Sequence, residues 1–148
     1  MTEKTSVTMR AFKIDDMDKI LEIEGQAFPK TPYSKEILLG YANRPSSRFV
    51  VLEVGQEILG YIIFTTGGHI ISTAVKPVHR RKGFGRMLFT NALEHTERGL
   101  WLEVRSRNNS AIGFYKNMGM KKTGKTRNYY GDDDALIMVS DENRKRGE

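Results

Sequence analysis

Cysteine is absent from this chain. That excludes a disulfide framework, a thiolate metal site and a cysteine carrier for a covalent intermediate. No apolar run approaches the length a membrane span requires. The first residues, MTEKTSVTMR, lack the apolar core of a secretory signal, so a cytoplasmic protein is expected. Histidine is scarce, at three scattered positions, and no metal is expected. Acidic side chains are missing from two stretches. Residues 104–131 hold seven Lys or Arg, and residues 76–86 hold five more, with no Asp or Glu in either. The net charge of +6 is therefore concentrated, which favours an anionic partner, either nucleic acid or a phosphorylated cofactor.

What is present describes one globular domain. Hydrophobic residues at 39% and charged residues at 28% of 148 positions supply a core and exclude a disordered chain. Residues 1–140 read as the domain, and 141–148, DENRKRGE, as a polar tail that frays. SVTMRAF alternates as a strand. Asp15 and Asp16 stand where caps belong for a helix through Met17, Ile20, Leu21 and Ile23, and Ser34 can cap a second helix. RFVVLEV and ILGYIIFT flank Gly55-Gln56-Glu57 as a hairpin, and HIISTAV is a fourth strand. A third helix then turns Met87, Leu88, Ala92 and Leu93 inward. LWLEVR is a fifth strand, Asn108 opens a fourth helix that Gly119 closes, and two further strands end the pattern. The expected fold is α/β: a mixed, mostly antiparallel sheet of about seven strands covered by about four helices.

Between the fourth strand and the third helix lies RRKGFG, residues 80–85. Gly83 and Gly85 carry no Cβ, so main-chain amides can approach an anion, and those amides open a helix. Arg80, Arg81, Lys82 and Arg86 add full charges. Two phosphate motifs are excluded: Leu88 stands where the dinucleotide fingerprint needs a third glycine, and no Gly-Lys-Ser/Thr follows at P-loop spacing. A diphosphate suits the turn; close helix packing would also explain the glycines.

AVKPVHRRKGFG, followed by LEVRSRNNSAIGFYKNMGM, resembles the GNAT superfamily of acyl-CoA N-acyltransferases. Arg80, Gly83 and Gly85 match its Arg/Gln-x-x-Gly-x-Gly/Ala signature. Glu103, Asn108, Ala111 and Tyr115, with RNYYGDDDALIM near the end, resemble the N-terminal protein acetyltransferase branch. Features of the bacterial RimI type, which acetylates a ribosomal protein, and of the archaeal and eukaryotic catalytic subunits are both present. The resemblance implies a sheet splayed between the fourth and fifth strands, with acetyl-CoA in the gap. Thr73, Ala74 and Val75 would pair with its pantetheine arm. Amides of Arg80, Arg81, Lys82, Gly83, Phe84, Gly85 and Arg86 would hold its pyrophosphate. Asn108 and Tyr115 would also contact the cofactor. The acceptor, a protein N-terminus, would lie between a loop bearing Phe28, Pro29 and Tyr33 and another bearing Tyr129 and Tyr130. Lys30 departs from the tryptophan common in the RimI type, and Met118-Gly119-Met120 departs from Leu-Gly-Phe.

The chemistry needs an amine without its proton and a partner for a leaving thiolate. Glu103 is the expected base; alternation puts it on one face with Trp101 and Arg105, where an ion pair to Arg105 is the structural alternative. His69 is the rival base, on the same parity as Ile71, Thr73 and Val75. Tyr115, a neutral phenol, is the expected acid. Two other functions fit the composition: acetylation of a polyamine, aminoglycoside or lysine side chain, and a basic module that contacts RNA without a recognisable binding motif.

Overall fold

The first strand, β1 (Val7–Ala11), is an edge strand that hands the chain to a turn of 3-10 helix at Ile14–Asp16 and then to α1 (Met17–Ala27). The computed structural model describes residues 6–140; the expected tail at 141–148 lies outside the described residues. After α2 (Lys35–Ala42) come β2 (Ser47–Val54), β3 (Glu57–Thr65) and β4 (Ile70–Val75), then α3 (Phe84–Glu94), β5 (Trp101–Arg105), α4 (Asn109–Asn117), β6 (Lys121–Thr126) and β7 (Ala135–Val139). This is the order the hydrophobic periodicity implies. Ser34 caps α2 as expected, its Oγ accepting from Ile37 N at 3.3 Å. Neither Asp15 nor Asp16 caps α1. Asp16 stands at the N-cap position, but its carboxylate turns back to accept from both terminal nitrogens of Arg10 at 2.8 and 3.0 Å and from Lys13 N at 2.8 Å, leaving the first amides of α1 without it.

The sheet is in two parts, β1-β2-β3-β4 and β5-β7-β6, every ladder antiparallel. One parallel bridge, His69 to Trp101, joins them. Beyond it β4 and β5 separate, which is the splay the resemblance implies.

Helices cover both faces. Ile20 and Ile23 of α1 and Leu38 of α2 bury against Phe49, Val51, Tyr61 and Ile63. On the opposite face α3 packs over Leu52, Leu59, Ile62 and Phe64, continuous with Leu102, Val104 and Met138. Each such side chain contributes about 1.5–3 kcal/mol. The inward face of α3 is Leu88, Phe89 and Ala92, while Met87 and Leu93 are only partly buried; the helix is rotated toward α4, where Phe89 meets Tyr115. Among the described residues no helix is long and apolar enough to cross a membrane.

Arg10 pairs with Asp16 at 2.8 Å and with Glu53 at 2.6 Å, joining β1, the first helical turn and β2. The Arg10 bond holds the Asp16 carboxyl below its ordinary range. A depressed carboxylate stabilises the fold above its unfolded pKa, about 3.9. That contribution is lost as pH falls through the lower folded value. Asp16→Asn is expected to cost about 3 kcal/mol at neutral pH, read from urea unfolding, and to flatten the acid limb of stability.

Candidate active site

The gap between β4 and β5 closes at one end where Trp101 N donates to Gly68 O at 2.9 Å. At that closed end the His69 ring stacks on the Trp101 indole, centroids 3.8 Å apart and planes within 6°. The His69 Nε2 lies 2.7 Å from Glu103 Oε1. Their side chains are 25% and 18% exposed, so the pair is shielded yet reachable. The two rival bases are thus one hydrogen-bonded pair. The parity assigned to His69 does not hold: Ile63 faces Ser72 while Phe64 faces Ile70, so Ile71 is an extra residue in β4 that flips the alternation beyond it. Thirty-four residues separate the partners, and nothing in their spacing announces the bond. Nor does Glu103 pair with Arg105, which bonds Asp132 instead.

Along the open edge of β4, Lys76 N donates to Leu59 O at 2.7 Å. By antiparallel alternation Ala74 also spends its main chain on β3, leaving Thr73 and Val75 to present theirs to the gap. Arg80 Nε reaches Val75 O at 3.3 Å and ties the basic turn to the strand end. Arg81 and Gly83 are both left-handed, with φ of 66° and 87°. Left-handed residues of this kind belong to main-chain nests that bind anions, and here they stand at the N-terminus of α3. Nothing lies within 4 Å of where a Gly83 Cβ would be, so conformation is what requires glycine there. Gly85 differs: a Cβ would meet the Phe114 ring at 3.2 Å, so it serves packing between α3 and α4. Among the described residues Arg80, Arg81, Lys82 and Arg86 form no ion pair.

Asn108 caps α4, its Oδ1 accepting from Ala111 N at 3.1 Å, which leaves both Nδ2 hydrogens and one Oδ1 lone pair for a ligand. Tyr115 packs between Phe89 and Phe114, and burial, then Tyr130, pushes its phenol above the ordinary range. It is neutral at pH 7.

Two loops face each other across β5. From the α1–α2 loop, Lys30 reaches Asp132 at 3.3 Å and Thr31 accepts from Arg105 at 3.0 Å. From the β6–β7 loop, Asp132 takes Arg105 at 2.6 Å, and the guanidinium lies 4.3 Å from the Tyr130 centroid. Arg105 on β5 is thus the hub of a clasp that sequence reasoning missed, because its partners lie 74 and 27 positions away. Phe28 ends α1 and Pro29 follows it in the loop. Tyr129 and Tyr130 meet edge to face, centroids 4.9 Å apart, and Tyr33 packs edge-on to Tyr41 at 6.3 Å. Burial comes first in pushing Tyr33 to about 12, with Tyr41, Tyr129, Glu24 and Glu103 adding to it. Tyr130 is likewise pushed to about 12 by burial, then by Tyr129 and Glu103. Glu103, two positions before Arg105 on β5, therefore lies beside the two clasped loops. Among the described residues no group of three His, Asp or Glu could hold a metal ion.

A crystal structure of the ribosomal-protein-S18-alanine N-acetyltransferase from Escherichia coli superposes with a TM-score of 0.80 at 26% identity, over 91% of this chain and 93% of that one. A Bacillus subtilis protein, provisionally named a ribosomal protein bS18-alanine N-acetyltransferase, is 34% identical over 91% of this chain and 95% of its own. An N-alpha-acetyltransferase of Sulfurisphaera tokodaii is 29% identical over 89% and 91%. The acetyltransferase (GNAT) family profile matches residues 14–120, the span from the first helical turn to the residue before β6, which includes both the basic turn and the His69–Glu103 pair. The chain belongs to the acetyltransferase (GNAT) family and is an acetyl-CoA-dependent N-acetyltransferase.

Proposed function

We propose that this enzyme acetylates the α-amino group of protein chains, with residues 1–140 as the catalytic domain. The observation that carries the reading is the Glu103–His69 pair beside two loops that Arg105 clasps together, the space between them being the acceptor groove of this reading. Such a groove suits the free end of an extended chain. The chemistry favours the same acceptor. An α-amine has a pKa of about 7.7–8.0 against about 10.4 for lysine, a difference of roughly 3.4 kcal/mol in the cost of deprotonation. A single carboxylate then suffices as base. The names of the Bacillus subtilis and Sulfurisphaera tokodaii relatives support it. A ribosomal protein whose first residue is alanine is the first acceptor to try.

In this reading acetyl-CoA supplies the acetyl group as a thioester. Thr73 and Val75 offer main-chain groups to its pantetheine arm, and the curl from Arg80 to Arg86 offers amides and charge to its diphosphate. Glu103 takes a proton from the incoming amine at Oε2, directly or through one water, while His69 holds Oε1. With Glu103 ionised, the hydrogen in that bond is on His69 Nε2. The Tyr115 hydroxyl donates a hydrogen bond toward the departing sulfur. Its raised pKa makes full proton transfer to a thiolate, whose own pKa is about 8.5, uphill, so the phenol stabilises charge and keeps its proton.

Mass spectrometry on peptides differing in their first two residues, with acetyl-CoA, tests this. Acetyl on the α-amine, with internal lysines and spermine untouched, is the expected result. A preference for spermine or for lysine side chains overturns it.

A further inference from the structure

We propose that Glu24 is a positioning residue of the acceptor groove: its buried carboxylate fixes the main chain at Tyr33 and so sets the groove wall that meets the peptide. The inference rests on the peptide-acceptor reading above. Glu24 lies on α1 and is 1% exposed. It receives three donors from three parts of the fold. The Tyr61 hydroxyl comes from β3, the Ser72 hydroxyl from β4 at 2.8 Å, and the Tyr33 amide from the loop at 2.9 Å. Two donors belong to strands held in the ladder between β3 and β4; the third belongs to a loop with no ladder. Among the described residues, main-chain hydrogen bonding stops at Phe28 N, resumes with the capped start of α2, and has only the Tyr33–Glu24 bond between.

The Tyr61 and Ser72 hydroxyls need an acceptor at Oε1, but neither requires the second oxygen, Oε2, that takes the Tyr33 amide. The neighbouring inward positions of α1 are Ile20 and Ile23, and an aliphatic side chain at 24 would avoid the cost of burying a charge. What a charge adds is a stronger bond to an amide N–H. Tyr33 shares its loop with Lys30 and Thr31, which reach Asp132 at 3.3 Å and Arg105 at 3.0 Å, and Arg105 stands two positions from Glu103 on β5. Shifting the main chain at Tyr33 therefore shifts a wall beside the reacting amine.

Three variants and two readouts test this: steady-state kinetics with an N-terminal peptide, and hydrogen exchange of the Tyr33 amide. Glu24→Leu keeps the volume and removes both acceptors; peptide KM is expected to rise about tenfold, with acetyl-CoA KM and kcat little changed, and Tyr33 exchange to quicken by at least about tenfold. Glu24→Gln keeps an acceptor and is expected to return peptide KM to within about threefold of the wild type. Tyr61→Phe removes a different donor from the same carboxylate and is expected to move neither readout, even where Tm falls. Should Glu24→Leu not fold, Glu24→Asp keeps the charge but is too short to span all three donors, and its peptide KM is expected to rise. Unchanged peptide KM with a protected Tyr33 amide, or an equal rise in Tyr61→Phe, overturns the proposal. If the wild type acetylates no peptide, the acceptor reading fails separately, and Tyr33 exchange still decides whether Glu24 holds the loop.

Discussion

Replacing Glu103 with glutamine is expected to lower kcat for peptide acetylation by roughly 10²-fold or more, with acetyl-CoA affinity unchanged. Glutamine preserves the side-chain shape and can still bond His69, so the stack on Trp101 should survive. What it removes is the capacity to accept a proton. His69→Asn separates the two members of the pair. If Glu103 is the base and His69 orients it, the histidine variant loses about tenfold. If the imidazole takes the proton, the ordering reverses. Pre-steady-state acetylation with saturating peptide, alongside calorimetric titration with coenzyme A, distinguishes chemistry from binding. Equal loss of coenzyme affinity in Glu103→Gln would show that the carboxylate supports the cleft rather than the reaction.

The second large effect is expected at the basic turn. Gly83→Val should weaken acetyl-CoA binding by at least about tenfold, which corresponds to about 1.4 kcal/mol. Space is not the obstacle, since nothing surrounds the missing Cβ. The backbone is: φ of 87° costs an L-residue about 1–2 kcal/mol, and a β-branched one more. Valine must either hold that strain or leave the left-handed region. Leaving it would uncurl the segment after Arg81 and re-aim the amides that open α3. Gly55→Val is the matched control. Gly55 has φ of 65° in the β2–β3 hairpin, so a similar loss of stability is expected without loss of coenzyme affinity. Calorimetry at low ionic strength reads both. Equal affinities for wild type and Gly83→Val would place the diphosphate elsewhere.

How much of this was legible beforehand follows from what each feature depends on. Strands and helices were legible in order because alternation and helical periodicity are local. Ser34 and Asn108 behave as caps because a cap needs only the next three residues. The basic turn was legible because glycine and charge spacing lie within seven positions. Gly85 was ambiguous, since its reason, the Phe114 ring, belongs to another helix. Asp16 stands at the N-cap as expected but makes no capping bond for the same reason: its partner Arg10 sits on a neighbouring strand.

The sequence by itself determined the elements, their order, the family resemblance, and which residue types could do acid–base chemistry or hold a phosphate. It did not determine which of them meet. One extra residue in β4 turned His69 toward Glu103, and the split sheet brought Arg105, Thr31 and Asp132 into one clasp. Glu24 acquired its three donors only when α1 settled on the sheet. These contacts depend on register and on packing across distant segments, and neither is written in the spacing of residues along the chain.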